Sequence, residues 1–433
     1  MLRRVDGGVG QTPREEAAGE GVAALGLLAE MSRDFAASLD ARETIRRAIR
    51  RIADYVGAET GSLFLLDADA GALVCEACSG EPDITGLRVP AGQGIVGRVV
   101  ATGLPEMVWD AQRDPRFYAD VDRSTGFRTR SMICAPLKVQ ERCLGAVELI
   151  NRRGEDKRFR RSDLLLLETL GSAAALAIEN ARLAERLAEQ ERVRRELELA
   201  AEIQQSLLPR RPPAGFPVAG ANRPARAVSG DFYDFFPLPG GAVAFAIGDV
   251  SGKGINAALL MAKTASLYRC LGRRGEPPGR LLGVLNRELA EGAMRGMFVT
   301  MVAGLLDPRS GRLRLANAGH EPALLQEPGG GLRKLPAEAP PLGIGADLIP
   351  EEGVAETEVD AAGASLYLFT DGLTEGRGVD GDPLGIEAVC KRIEQARGLS
   401  PADRVAHLFG ALGPGPLHDD VTVVVVDAAG PGR

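Results

Sequence analysis

The chain has 433 residues, a length that corresponds to two or three domains at about 150 residues each. Hydrophobic residues make up 45% and charged residues 26%, which is typical of soluble globular proteins and excludes disordered, collagen-like and membrane-bundle classes. Lys and Arg total 52 against 59 Asp and Glu. The formal net charge of −7 gives no overall basic field, so we expect no binding to nucleic acid or to an anionic membrane.

The six cysteines are sparse and scattered, which favours reduced thiols in a cytoplasmic protein over a disulfide framework. The pair Cys75-Glu-Ala-Cys78 has redox or zinc-site spacing, but it continues the strand-like run Leu73-Val74. We therefore interpret both thiols as small buried side chains. The N-terminal residues lack the apolar core of a signal peptide, and nowhere do 18 apolar residues follow one another, so we expect a cytoplasmic location.

The first part of the chain predicts one α/β domain over residues 21–185. Residues 1–20 are rich in Gly and charge and have no hydrophobic period, which predicts a disordered lead-in. From their hydrophobic periods, the following elements are predicted: two helices within 22–56, strands at 62–66, 72–75, 131–139 and 143–150, and a helix from 162 through 183.

A connecting helix is predicted over 186–210, because residues 178–208 contain neither Gly nor Pro and carry apolar residues every three or four positions. Two interpretations remain open for this segment: a dimeric coiled coil, or a helix lying on its own domain. Pro209, Pro212 and Pro213 then end the helix.

The remainder, 211–433, reads as a second domain of mixed strands and helices. From apolar runs and helical periods, the following elements are predicted: strands at 242–250, 298–306, 312–316, 365–370 and 421–426, and helices at 255–271 and 281–295.

Aspartates stand beside small residues in four motifs of this second part, and three of the motifs abut an apolar strand. They are SGDFYD at 229–234, GDVSGKG at 248–254, FTDGLTE at 369–375 and HDDVTV at 418–423. A single motif of this kind is common in turns and does not by itself indicate a site. Four of them point to carboxylates converging at one edge of a core, where they need a hard cation. The low count of three His argues against zinc, and Mn²⁺ or Mg²⁺ fits an oxygen-rich site.

With NAGHEP at 317–322, the order of these motifs resembles the bacterial SpoIIE-type serine phosphatases, a branch of the metal-dependent PPM (PP2C-like) family. Residues 21–185 are similar to a GAF sensor domain, on the motifs PAGQGIVG at 90–97 and GAVELIN at 145–151. The resemblance implies an α/β (α+β) protein: a GAF-type sheet-and-helix domain, a connecting helix, and a PPM-type β-sandwich flanked by helices.

The resemblance also implies two Mn²⁺ or Mg²⁺ ions at one end of the sandwich. Asp249 would bridge both ions, and the backbone carbonyl of Val250 would bind one of them. Asp371 and Asp419 would hold the other ion. The choice between Mn²⁺ and Mg²⁺ stays open, since both accept oxygen ligands.

Three further positions complete the implied site. Asp231 would either bind an ion directly or contact one of the groups that bind it. Asp420 could exchange roles with the adjacent Asp419. Arg226, five residues before Asp231, matches an Arg that grips the phosphate in the wider family.

A site of this type activates a water between two cations, and the hydroxide attacks phosphorus while the ions neutralise the phosphoryl oxygens. A cysteine nucleophile is excluded, because no Cys is followed by Arg six positions later. The leaving group takes its proton from a water or, as a less favoured alternative, from His320.

The sequence thus predicts a GAF-regulated protein serine/threonine phosphatase. The resemblance implies a phosphorylated anti-sigma-factor antagonist as substrate. We also expect an unidentified small-molecule or protein input at the GAF domain and, from the apolar spacing within 178–208, a homodimer. One alternative is a catalytically silent scaffold, which the intact acidic set disfavours. Another is a sensor whose main activity is ligand binding by the GAF domain, although Trp109 is the sole Trp and no aromatic cage is evident.

Overall fold

A computed structural model describes residues 26, 29–31, 33–34, 41–154, 157–209, 212–213, 215–291, 296–350, 352–379 and 381–428. The chain divides into two compact units, Met1–Gln190 and Glu191–Arg433. The predicted disordered lead-in at 1–20 lies outside the described residues.

The first unit is built on a six-stranded antiparallel sheet with the order β3-β2-β1-β6-β5-β4. Its strands are β1 Ala58–Asp67, β2 Ala72–Cys78, β3 Arg88–Pro90, β4 Glu106–Val108, β5 Met132–Val139 and β6 Arg142–Arg152. Its helices are α1 Ala41–Val56, α2 Gly94–Thr102, α3 Asp120–Thr125 and the start of α4 Arg161–Leu207, with a 3-10 turn at Ala111–Arg113. The predicted mixed sheet-and-helix fold is confirmed.

Both faces of this sheet are covered, which explains why its strands read as nearly continuous apolar runs. On β6, Val147 and Leu149 point to the core formed with α1 and α4. Ala146 and Ile150 point to a second core that includes α2. Alternate residues of a strand face opposite sides, so two covered faces require apolar residues at both sets of positions.

The two cysteines of the C-x-x-C motif belong to the first unit. Cys75 and Cys78 are free and buried, and burial raises the pKa of the Cys75 thiol. The interpretation of both as small buried side chains is confirmed.

Helix α4 is a continuous 47-residue helix, so the predicted closing helix of the first domain and the connecting helix form one element. By length and composition it could cross a membrane, with a mean hydropathy of 1.3 over 18 residues. Its apolar residues Leu167, Leu170 and Ala175 are nevertheless buried in the core of the first unit.

The second unit contains two five-stranded antiparallel sheets, with the orders β14-β11-β10-β9-β8 and β13-β12-β15-β16-β7. The strands are β7 Val218–Arg223, β8 Phe232–Pro237, β9 Val243–Val250, β10 Val299–Asp307, β11 Arg312–Ala318, β12 Ala323–Gln326, β13 Leu332–Leu335, β14 Thr357–Asp360, β15 Ser365–Phe369 and β16 Val421–Asp427. The helices are α5 Ile255–Gly272, α6 Pro278–Glu291, α7 Asp371–Glu375, α8 Gly385–Gln395 and α9 Pro401–Phe409, with a 3-10 turn at Ala346–Leu348.

The two sheets pack face to face, and helices cover their outer faces. Val424 of β16 lies in the core between the sheets, whereas Val423 and Val425 lie in a core shared with α8 and α9. The predicted β-sandwich flanked by helices is confirmed. The helix predicted at 281–295 begins earlier, at Pro278, and its described part ends at Glu291.

Candidate active site of the second unit

The acidic motifs lie at the ends of strands from both sheets. Asp231 directly precedes β8, and Asp249 is the penultimate residue of β9. Asp371 begins α7, one residue after Thr370, which follows β15. Asp420 directly precedes β16. Because β8 pairs with β9 and β15 with β16, each sheet contributes two of these strand ends.

Asp231 is held by hydroxyl groups from the other sheet. Its side chain is 2% exposed, and its Oδ2 accepts hydrogen bonds from Thr370 Oγ1 and Thr422 Oγ1, each at 2.7 Å. Burial, and then the charge of Asp249, raises the pKa of Asp231 well above its ordinary value. The two threonines bridge the sandwich and fix one carboxylate oxygen of the site.

Asp249 and Asp371 face each other's negative charge. Burial raises the pKa of Asp249 to about 6, with a further contribution from Asp371, while a hydrogen bond from Asp231 opposes the shift. The pKa of Asp371 is raised by burial and then by Asp419. A cation placed among these carboxylates would relieve the repulsion and the desolvation at the same time.

Val250 is 1% exposed and its carbonyl stands close to the motif that carries Asp231. A Cβ on Gly230 would lie 3.2 Å from the Val250 oxygen, so glycine at this position avoids crowding that carbonyl.

The adjacent acids Asp419 and Asp420 have different partners. Asp420 accepts hydrogen bonds from Ala225 N at 2.7 Å, Gly230 N at 2.7 Å and Ser229 Oγ at 2.9 Å. Asp419 Oδ2 instead pairs with Lys253 Nζ at 2.8 Å, and its side chain is 36% exposed. Asp420 thus fixes the loop 225–230, and Asp419 faces the half-exposed ammonium group of Lys253.

Arg226 is exposed and lies within the loop that Asp420 fixes. The hydrogen bonds that Ala225 N and Gly230 N donate to Asp420 therefore hold the backbone on both sides of Arg226.

His320 is buried beneath the site and is 5% exposed. Its Nδ1 lies 2.8 Å from Thr300 Oγ1, which in turn donates to the Asp249 carbonyl at 3.4 Å. Burial lowers the pKa of His320 to about 4, so the imidazole is neutral near pH 7. A neutral, enclosed imidazole does not suit the general-acid alternative.

The donor set matches a hard divalent cation, since it consists of carboxylate and carbonyl oxygens. Among the described residues, no group of three or more His, Cys, Asp or Glu side chains already forms a ready-made metal cluster. Burial, and then the charge of Asp371, raises the pKa of Asp249, so a bound cation would stabilise the charged form of these carboxylates. The residues present therefore fit a metal centre.

Several polar residues that support the site are not evident from the sequence motifs. They are Gln204, Asn222, Ser229, Thr300, Thr370 and Thr422. Three of these, Ser229, Thr370 and Thr422, fall inside the acidic motifs, and that position is a signal in the sequence. Thr300 lies outside the motifs. Gln204 and Asn222 carry no such signal, because their partners are distant in the chain.

A two-sheet sandwich with acidic residues at its strand ends is the architecture of the PP2C-type phosphatases, a metal-dependent class. A family model described as Stage II sporulation protein E (SpoIIE) matches residues 239–429, and a GAF domain model matches residues 40–178. The phosphoserine phosphatase RsbU of Bacillus subtilis is 31% identical over 243 residues, which cover 55% of this chain and 71% of RsbU. The chain belongs to this family of PP2C-type phosphatases and carries an N-terminal GAF domain.

Two further proteins are similar over about half of the chain. Protein IcfG of Synechocystis is 27% identical over 271 residues, covering 54% of this chain and 41% of IcfG. The solved SiaA-PP2C domain of Pseudomonas aeruginosa is 23% identical, with a TM-score of 0.46, and covers 55% of this chain and 98% of that domain.

Proposed function

We propose that the second unit is a protein serine/threonine phosphatase that uses two Mn²⁺ or Mg²⁺ ions, and that the GAF domain regulates it. The observation that carries the proposal is the meeting of Asp249 and Asp371 at an edge built from both sheets, where burial and then the charge of Asp371 raise the pKa of Asp249. Such unbalanced carboxylates are costly in a structural role and useful in a metal site.

The contacts support different roles for the aspartates, some binding the ions and one positioning the loop. Asp249, the Val250 carbonyl, Asp371 and Asp419 would hold the ions. Asp419 would exchange its half-exposed contact with Lys253 Nζ for an ion. Asp420 would position the loop, since backbone N–H groups and a hydroxyl already occupy its carboxylate. Asp231 would act beside Asp249, with one oxygen fixed by two threonines.

When bound, the ions would supply a water activated for attack on phosphorus and would neutralise phosphoryl oxygens. Arg226 would orient the phosphate, because its guanidinium can bind two phosphoryl oxygens at once. His320 is neutral and enclosed, so solvent would protonate the leaving seryl oxygen. Cys75, Cys134, Cys143 and Cys390 would take no part, since burial raises the pKa of each of these thiols.

The substrate we propose is a phosphoserine or phosphothreonine on a signalling protein, specifically an anti-sigma-factor antagonist. The name of RsbU, a phosphoserine phosphatase, supports the phosphoamino acid. The exposure of Arg226 and Asp419 supports access by a macromolecule. We place the protein in the cytoplasm.

A homodimer through α4 is part of the same proposal. Leu183, Leu187 and Val193 are 45%, 65% and 43% exposed on this helix. An apolar stripe at such spacing suits a second copy of the helix.

The test is hydrolysis of p-nitrophenyl phosphate and of a phosphoserine protein by the full chain with Mn²⁺, Mg²⁺ or EDTA. Asp249→Asn and Asp371→Asn should abolish metal-dependent turnover, and Asp347→Asn, at an exposed acid outside the site, should leave it unchanged. No turnover together with no calorimetric Mn²⁺ binding would favour the silent scaffold instead.

A further inference from the structure

Gln204, near the end of α4, is buried although both of its neighbours are exposed. Its side chain is 8% exposed, whereas Ile203 is 67% exposed and Gln205 is also exposed. Its carboxamide bonds to both backbone groups of one residue. Ser229 N donates to Gln204 Oε1 at 2.8 Å, and Gln204 Nε2 donates to Ser229 O at 2.7 Å.

Ser229 in turn connects to two acids of the site. Its Oγ donates to Asp420 Oδ2 at 2.9 Å and accepts from Asp231 N at 3.1 Å. Asp420 also accepts from Ala225 N and Gly230 N, each at 2.7 Å. The loop is therefore held by Asp420 on one side and by Gln204 on the other.

We infer that Gln204 is a positioning residue of the phosphatase site, which fixes the loop carrying Arg226 and Asp231 to the end of α4. The inference rests on the proposed function. Gln204 lies outside the acidic motifs, yet metal binding and phosphate binding would depend on it. The end of α4 would thereby become part of the site.

The geometry of this contact makes it sensitive to small movements. A hydrogen bond weakens sharply beyond about 3.2 Å, so a shift of about 1 Å between helix and loop breaks both contacts. A Gln side chain that bonds to a donor and an acceptor of the same residue also fixes its orientation, because neither role can be exchanged. Displacement of the end of α4 thus removes one of the two supports of Ser229 and leaves the loop held by Asp420 alone.

The experiment compares Gln204→Met with Gln205→Met in the full chain. Methionine keeps the length and helix propensity of glutamine but makes neither hydrogen bond. The exposed Gln205 is a matched control on the same turn. Mn²⁺ affinity is measured by calorimetry, and kcat and KM are measured with a phosphoserine protein.

Gln204→Met is expected to weaken Mn²⁺ binding and to raise KM, each by about tenfold, the effect of removing an outer support of a metal site. Gln205→Met should stay within about twofold of the wild type. If the two variants behave alike while the wild type is active, the inference is wrong and the proposed function stands. A wild type that neither binds Mn²⁺ nor turns over substrate would instead contradict the proposed function.

Hydrogen exchange in the wild-type chain tests the contact without relying on a variant that folds. The Ser229 amide should exchange at least about a hundredfold more slowly than in an unfolded chain, because it is bonded and buried. Exchange at the unfolded rate would overturn the inference.

Discussion

Asp419 and Asp420 are adjacent in the chain, yet their carboxylates serve different partners. Asp420 accepts from Gly230 N at 2.7 Å, while Asp419 pairs with Lys253 Nζ at 2.8 Å. Asp420 therefore holds the loop, whereas Asp419 lies against the half-exposed ammonium group of Lys253. This difference gives the two residues distinct expected phenotypes.

Asp420→Asn should destabilise the second unit by at least about 2 kcal/mol, because the amide group places a donor against the donors of Ala225, Ser229 and Gly230. Asp419→Asn should change stability by less than about 1 kcal/mol, since its pair with Lys253 is largely exposed. It should instead weaken Mn²⁺ binding by at least about tenfold. Urea unfolding and calorimetry of the two variants measure both effects. Equal loss of stability in both would contradict this division.

The main strands and the place of the acids were predictable because their signals are local. The run Val421–Val426 is apolar at every position but Thr422, and the structure buries both faces of this strand. The roles of Asp419 and Asp420 were not predictable, since both precede β16 in a loop where no alternation fixes the direction of a side chain. Gln204 was not predictable either, because its partner lies 25 residues away.

Gly372 allows α7 to approach the loop that carries Asp420. A Cβ at this position would lie 2.0 Å from the Asp420 carbonyl oxygen, which is backbone and cannot yield easily. Gly372→Ala should therefore cost about 1–3 kcal/mol of stability and reduce metal-dependent turnover, because it moves Asp371 away from Asp419. Gly415→Ala, with nothing within 4 Å, is the control in the same thermal and kinetic assays. An unaffected Gly372→Ala variant would show that this close approach is not required.

Thr422 supplies a hydroxyl that both Asp231 and Asn222 use. Its Oγ1 donates to Asp231 Oδ2 at 2.7 Å and accepts from Asn222 Nδ2 at 2.8 Å. Thr422→Val removes this hydroxyl from a fully buried position and should cost about 1–3 kcal/mol. Thr422→Ser keeps the hydroxyl and should lose less stability. A valine variant that is as stable as the serine variant in urea would argue against this role.

Glu148 makes the stability of the first unit depend on pH. The side chain is 5% exposed on β6, and burial, with a smaller contribution from Asp122, raises its pKa from 4.5 to about 8. Between these values the unfolded chain loses the proton and the folded chain keeps it. The stabilisation that Glu148 contributes is therefore greatest below pH 4.5 and falls as the pH rises towards 8. The contribution of this one group is about 1.4 kcal/mol per pH unit in that window.

Glu148→Gln, which carries no titrating proton, should flatten the slope of stability against pH and be more stable than the wild type above pH 8. Glu141→Gln, whose side chain is 98% exposed, should leave the slope unchanged. Urea unfolding of the full chain from pH 5 to pH 8.5, followed by a probe in the first unit, gives the comparison, and parallel slopes for wild type and Glu148→Gln would contradict the assignment.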